Sequence, residues 1–229
     1  MRWVVTGANR GIGLELVRQI AARGDRADAL ARDPSGAPEL TAIAAASGGR
    51  VRTFACDVAS DASVRAAAQA IGNDAIDVVI NNAGVMGKML SLEDVDTDDA
   101  LRTFDTNALG SIRVARALLP QLERAKTRKI AGITSGMGSI ADNTSGGAYA
   151  YRMSKAAMNM ANKSMSTDLR ARGFTCIVIN PGWVQTAMGG RGAPMPVAES
   201  AKKILGVIDA VRPEQTGAFL NYDGTSYAF

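Results

Sequence analysis

The chain has 229 residues, of which 47% are hydrophobic and 21% charged, and it carries a net charge of +4. Such a composition supports a sizeable core and excludes a disordered chain, and the length suits one α/β domain over residues 1–229. The mild basicity is dispersed: no run of five or more Lys or Arg marks a nucleic-acid footprint. Histidine is absent, so His-based triads and His-ligated metals are out of reach, no metal site is expected, and proton transfer falls to another side chain.

Arg2 to Thr6 reads as a buried strand that begins almost at Met1, leaving no room for a signal or transit peptide. A glycine-rich turn follows, then an amphipathic helix from Leu14 to Arg23 capped by Gly24. Residues 27–31 form a short apolar strand ending in the turn Arg32 to Gly36, residues 39–47 a helix, and residues 51–55 a third strand. Asp61 to Ile71 is an Ala-rich helix, and Ile76 to Ile80 is a continuous apolar run of the kind buried on both faces of a sheet. Residues 98–125 suit one long helix bent or ended by Pro120. Ile130 to Thr134 is the fifth strand, and a Gly/Ser/Asn-rich loop covers 135–148. Ala150 to Arg172 is the next helix, closed by Gly173, and Thr175 to Ile179 the sixth strand, stopped by Asn180-Pro181-Gly182. A mobile Gly/Pro-rich loop precedes a helix near 197–211, and Gly217 to Asn221 is a last strand. Strands alternating with helices imply right-handed βαβ units: a doubly wound parallel α/β sheet of about seven strands, Rossmann-type, with helices on both faces. No stretch approaches the ~20 apolar residues of a membrane span. Cys56 and Cys176 sit in apolar strand contexts and read as buried free thiols of a reducing compartment, so a cytoplasmic location is expected.

Gly7, Gly11 and Gly13 punctuate the turn between the first strand and the first helix. A pyrophosphate needs close backbone approach, hence no side chains, and a helix N-terminus offers it free N–H groups and a positive dipole end. The spacing is G-x-x-x-G-x-G rather than the commoner G-x-G-x-x-G. An acid at the end of the second strand would select NAD through the ribose 2′-hydroxyl, but this strand ends Ala29-Leu30-Ala31-Arg32, and Arg10 sits in the glycine turn. Two guanidinium groups suit a 2′-phosphate, so NADP is favoured over NAD. Asp33 keeps NAD open, since it reaches the ribose if the strand ends one residue later; Asp28 is expected to face away.

Tyr151 and Lys155 are four apart on a predicted helix and share a face. An ammonium near a phenol favours the phenolate and lowers its pKa, so the pair can serve as a general acid or base without histidine. Tyr149 lacks that partner, because Met153 stands four residues on.

The company of that pair resembles the short-chain dehydrogenase/reductase family over essentially the whole chain. Thr6-Gly7-Ala8-Asn9-Arg10-Gly11-Ile12-Gly13 resembles its cofactor motif, and Asn81-Asn82-Ala83-Gly84 its sheet-stabilising motif. Asn107, Thr134-Ser135, Tyr151-Arg152-Met153-Ser154-Lys155 and Asn180-Pro181-Gly182-Trp183-Val184-Gln185-Thr186 match the remaining landmarks in order, most similar to C-factor-like and carbonyl-reductase-like members. The resemblance implies an oxidoreductase that moves a hydride between a nicotinamide cofactor and a carbonyl or alcohol. It implies that Tyr151 exchanges a proton with the substrate oxygen, that Ser135 holds that oxygen, and that Lys155 tunes Tyr151 and bonds the nicotinamide ribose. Asn107 would position a relay water. Asp57 and Val58 would contact adenine, Asn81, Ala83 and Gly84 would line the adenosine side, and Pro181, Gly182, Val184 and Thr186 would seat the nicotinamide.

One departure concerns the serine. The family commonly places it about thirteen residues before the tyrosine, where this chain has Gly138; Ser135 is sixteen before and Ser139 twelve. Ser135 is preferred because it directly follows the strand ending at Thr134, with Ser139 as the alternative. The loop Met188 to Pro196 would lie over the substrate, as a lid or as a plain connector. Met153, Met158, Met160 and Met165 spread around the helix at 150–172, which with the helix at 98–125 often builds a dimer in the resembled family; a homodimer or homotetramer is expected, with a monomer open. A second reading is a non-catalytic dinucleotide-binding signalling protein of the C-factor kind, and a third is a lyase or isomerase on the same scaffold.

Overall fold

Seven strands lie side by side in the computed structural model, which describes residues 1–229: β1 Arg2–Thr6, β2 Arg26–Ala31, β3 Val51–Ala55, β4 Val78–Asn81, β5 Lys129–Ile133, β6 Thr175–Asn180 and β7 Phe219–Asn221. Their order is β3-β2-β1-β4-β5-β6-β7, and every pairing is parallel. The chain winds outward from β1 in one direction and from β4 in the other. The C-terminal ends of β1 and β4 therefore part into a crevice, the place where an open α/β sheet receives a ligand.

Period-two alternation divides the core. Trp3 and Val5 point to the face covered by helices α1 (Gly11–Ala22), α2 (Pro38–Ala46) and α7 (Val197–Ala210), where Leu16, Ile20, Leu40, Ile204 and Ile208 pack. Val4, Leu30, Val79 and Ile130 point to the other face, against Val64 and Ile71 of α3 (Asp61–Ile71) and Leu118 and Leu122 of α5 (Gly110–Glu123). The expected three-layer α/β/α arrangement is thus present. No helix is long and apolar enough to cross a membrane.

Asp28 lies buried in the middle of β2 and does face away from the crevice. Its carboxylate takes Arg2 Nη2 at 2.8 Å and Arg52 Nε at 2.8 Å, and both guanidinium groups also donate to the Ile71 carbonyl. The end of α3 is thereby tied to β1, β2 and β3.

Two expectations need correction. The long helix over 98–125 is three pieces: α4 (Thr97–Phe104), a π-helical turn (Asp105–Leu109) and α5. Pro120 lies inside α5 and does not end it. The π turn inserts an extra residue into the helical ladder at the point where Asn107 turns toward the neighbouring helix α6 (Tyr149–Asp168), a common use of such bulges. The helix expected over 150–172 ends as α6 at Asp168 and finishes in a 3-10 turn, Arg170–Arg172.

Candidate functional site

At the end of β1 the Thr6 hydroxyl accepts the N–H groups of Asn82 (3.0 Å) and Ala83 (2.9 Å). In return the Asn82 amide donates to the carbonyls of Thr6 (2.9 Å) and Gly7 (3.3 Å). These bonds lace the loop after β4 to the turn after β1, and they explain the glycines. Gly7 has φ +64°, and a Cβ on it would lie 2.8 Å from Ala83 Cα. A Cβ on Gly13 would run into the Gly7 carbonyl and the Asn82 amide. Arg10, the N-cap of α1, makes no side-chain cap bond, so the first-turn N–H groups have no side-chain acceptor. Asn9 and Arg10 are exposed and Ile12 is half-buried. Bare backbone with a helix N-terminus behind it fits a pyrophosphate. Asn82 holds this cradle together; its role was not read from the sequence, although the doubled Asn81-Asn82 was its signal.

Val58, Asn81 and Ala83 come together in a small recess with Thr6, Thr106, Gly110 and Ser111. The Asn81 amide donates to the Ser111 carbonyl at 3.4 Å, but its Oδ1 is buried without a partner, an acceptor left for a bound group. Thr106 and Gly110 reach this recess from the π turn and the start of α5, inside the stretch expected to be one continuous helix. The Asp57 side chain accepts from the N–H of Ala59 (3.0 Å) and so serves its own turn.

The Ala8 N–H donates to the Leu30 carbonyl at 3.0 Å, which sets the glycine turn beside the end of β2. Arg32 stands exposed there. Asp33 does not reach toward the turn: its carboxylate accepts from the Ser35 hydroxyl (2.7 Å) and the Gly36 N–H (2.9 Å), and those bonds hold its pKa below the usual carboxylate range.

Beyond β5 and along α6 lie the residues expected to handle protons. Tyr151 and Lys155 are both buried, 7% and 4% exposed. Lys155 Nζ lies 5.8 Å from the centre of the Tyr151 ring and donates to the Ile133 carbonyl at 2.8 Å. Its other neighbour is the Met158 thioether at 3.9 Å. It has no carboxylate, and burial draws its pKa down to about 8. The Tyr151 phenol moves the other way: burial raises its pKa and an interaction with Ser135 partly offsets the rise. Lys155 adds nothing to that shift: its ammonium lies 5.8 Å from the ring centre and is bonded to the Ile133 carbonyl.

The packing of Gly138 explains why no serine stands at the family's usual spacing. A Cβ there would lie 2.8 Å from Lys155 Cβ and 2.9 Å from the Lys155 carbonyl carbon, so the loop packs on α6 only if that position is bare. Asn159 donates to the Gly138 carbonyl and fixes the contact. Ser139 is buried, and its hydroxyl accepts the Asp142 N–H at 3.1 Å inside the loop. Ser135 Oγ accepts the Met137 N–H at 3.1 Å, and the Ser135 side chain lowers the Tyr151 pKa where Ser139 does not.

Asn107 is clasped by its surroundings. Its Oδ1 accepts the Val85 N–H (2.8 Å), and its Nδ2 donates to the Val85 carbonyl and to Ser154 Oγ, both at 2.8 Å. The amide is spent on joining the loop after β4 to α6, which leaves no side-chain donor for a water. Gly84 lies between: a Cβ on it would be 3.1 Å from Asn107 Oδ1 and 3.5 Å from Lys155 Nζ.

After β6, Asn180 accepts the N–H groups of Gly136 (3.1 Å) and Gly182 (3.3 Å), linking the serine loop to the Pro181-Gly182 turn. The Pro181 carbonyl takes the Ser200 hydroxyl at 2.9 Å. Val184 is buried and pairs with Met195, while Thr186 lies against Gly11, its Cγ2 3.4 Å from where a Cβ would stand. The segment read as a mobile loop is braced: Trp183 Nε1 donates to the Gly189 carbonyl, Gly189 N–H to Thr186 Oγ1, and Gln185 Nε2 to the Ala193 carbonyl. It carries Met188, whose thioether stands 4.0 Å from the Tyr151 hydroxyl. Cys56 and Cys176 are buried free thiols.

Comparison with known proteins accords with this geometry. Residues 2–195 match the family model described as short chain dehydrogenase. A relative named C-signal, from Myxococcus xanthus, is 54% identical over 162 residues, covering 71% of this chain and 98% of its own length. Two solved structures overlay on the whole chain with a TM-score of 0.94 and 33% identity: the carbonyl reductase Sniffer of D. melanogaster, 99% covered, and an NADPH-bound carbonyl reductase from chicken fatty liver, 98% covered. The chain belongs to the short-chain dehydrogenase family.

Proposed function

We propose that this protein is an NADP(H)-dependent oxidoreductase that interconverts a small carbonyl compound and its alcohol. The observation that carries the reading is a buried, anion-free Lys155 that lies 5.8 Å from the Tyr151 ring centre and is bonded to the end of the strand from which Ser135 follows. The bare backbone at Gly7 and Gly13, the uncapped start of α1 and the orphaned Asn81 Oδ1 fit a dinucleotide. Arg10 and Arg32 would take the 2′-phosphate, a preference supported by Asp33 being held in its own turn. Lys155 would donate to the nicotinamide ribose, and Pro181, Gly182, Val184 and Thr186 would flank the ring.

Bound NADPH supplies the hydride. The chain's residues handle the proton and the pose. The Ser135 hydroxyl holds the substrate oxygen beside Tyr151, as a small oxyanion site. The Tyr151 hydroxyl donates its proton to that oxygen in reduction and takes it back in oxidation. A pKa raised by burial keeps the phenol protonated, the form reduction requires. Asn107 acts by posture, since its amide holds Val85 and Ser154 around Lys155.

The Myxococcus xanthus relative, by its name, favours a second reading as a signalling protein. Titration with NADPH and NADH, then turnover against aldehydes, ketones and quinones, separates the two. Carbonyl-dependent NADPH oxidation lost in Tyr151→Phe supports the enzyme. Tight cofactor binding without turnover, unchanged by Tyr151→Phe, supports the signalling reading. Met153 and Met160 on α6 and Leu101 on α4 are more than half exposed, which supports a second copy covering these helices in a dimer or tetramer. Two buried free thiols accord with a reducing, cytoplasmic location.

A further inference from the structure

The serine loop has a brace that the proton-transfer scheme does not use. After β7 the chain turns back, and Tyr227 N–H donates to the Phe219 carbonyl at 2.8 Å. The Tyr227 and Phe229 rings pack on Phe219, with centroids 4.9 and 5.5 Å away. From this platform the Tyr227 hydroxyl donates to Asp142 Oδ2 at 2.6 Å, and the Phe229 carbonyl accepts the Ala141 N–H at 3.0 Å. The same hydroxyl sits on Gly136, the residue after Ser135: a Cβ there would be 2.7 Å from it. Gly136 is also held from the other side, by its N–H to Asn180 Oδ1.

We infer that Tyr227 is a positioning residue for Ser135: clamped on Phe219 and bonded to Asp142, it fixes the loop that presents the serine hydroxyl to Tyr151. The loop is longer between serine and tyrosine than the family's usual spacing, and extra chain has more conformations to lose on ordering. Arg152 restrains one side, donating to Ser145 Oγ (2.8 Å) and the Gly146 carbonyl (3.2 Å). The 226–229 segment restrains the other, at Ala141, Asp142 and Gly136. Placement of a reacting group is a steep lever on rate, where ~1 Å can cost ~10²-fold. The inference rests on the proposed carbonyl chemistry for its kinetic consequence but not for its structural one.

The test uses the full chain with Tyr227→Phe, which keeps the ring on Phe219, together with Asp142→Asn, which keeps an acceptor, and Asp142→Ala, which does not. Amide exchange across 136–142 is expected to quicken about tenfold in Tyr227→Phe and Asp142→Ala, the effect of losing roughly one bond to a charged acceptor. It should return toward wild type in Asp142→Asn, with NADPH affinity unchanged throughout. Turnover of a carbonyl substrate should fall in kcat far more than KM rises, in the same order of variants. Unchanged exchange in Tyr227→Phe, or equal losses in Asn and Ala, overturns the brace. Absence of turnover in the wild type would instead sink the oxidoreductase reading, and the exchange data would still decide the brace.

Discussion

Lys155 Nζ donates to the Ile133 carbonyl at 2.8 Å, so the ammonium of α6 is anchored to the last residue of β5. The bond holds the cation at the strand end from which Ser135 follows, 5.8 Å from the centre of the Tyr151 ring. It also leaves the ammonium with donors to spare and no anion nearby.

That arrangement predicts a pH-dependent cofactor affinity. Burial depresses the free protein's Lys155 pKa to about 8, and new hydroxyl acceptors on a bound ribose would raise it. A group with a higher pKa in the complex favours binding most below its free pKa. NADPH affinity should therefore be flat below about pH 8. Above it, affinity should weaken by at most about tenfold per pH unit, with proton uptake on binding. Calorimetry in buffers of differing ionisation heat measures the uptake. Lys155→Met should bind more weakly below pH 8 and lose the slope; a slope surviving that change would contradict the assignment.

The two serines should separate cleanly. Ser135→Ala is expected to lower kcat/KM by ~10²-fold, the scale of losing one donor to a developing oxyanion. Ser139→Ala removes only the acceptor for the Asp142 N–H and should cost ~1 kcal/mol of stability with little kinetic effect. Steady-state kinetics beside thermal melts decide it, and the reverse ranking would move the role to Ser139.

Cofactor choice should lie with Arg32 and Arg10. Arg32→Ala is expected to weaken NADPH by roughly tenfold or more, a charged hydrogen bond being worth ~1.5–3 kcal/mol, and to leave NADH unchanged. Asp33→Ala should affect neither cofactor strongly, because that carboxylate is occupied by Ser35 and Gly36. Fluorescence titration of both variants with both cofactors is the measurement. Preferential loss of NADH in Asp33→Ala would point to NAD.

Stability away from the crevice should depend on Asp28. Asp28→Ala leaves the buried Arg2 and the half-exposed Arg52 without their carboxylate, and removing one partner of a buried pair costs ~3–5 kcal/mol. Chemical denaturation should report that loss, while NADPH affinity measured well below the melting point stays near wild type. A loss under 1 kcal/mol, small on the scale of such pairs, would mean that the network is already relaxed by water.

Reading the fold required only local information. Most strands are short apolar runs separated by helical stretches, and the alternation of the two admits few topologies. Gly24 and Gly173 marked their turns because both need positive φ. The glycine cradle, Tyr151 and Lys155 were legible for the same reason: their spacings are set by one turn and one helix. The π turn at Asn107 was not, because the 3.6-residue pattern runs through it and the partners of its amide, Val85 and Ser154, lie 22 and 47 positions away.

What the tertiary structure alone decided lies between elements. The direction of the Tyr151 and Lys155 pKa shifts depends on how deeply both are buried, which four-residue spacing does not contain. That Gly138 must be bare follows from its lying flush on α6, and that the Asp33 carboxylate is occupied follows from two bonds inside its own loop. Bonds such as Asn82 to Gly7, Asn180 to Gly136 and Tyr227 to Asp142 join residues 44 to 85 positions apart. Sequence patterns report a residue's nearest neighbours along the chain; desolvation and partner choice are properties of whatever the folded chain brings across from elsewhere.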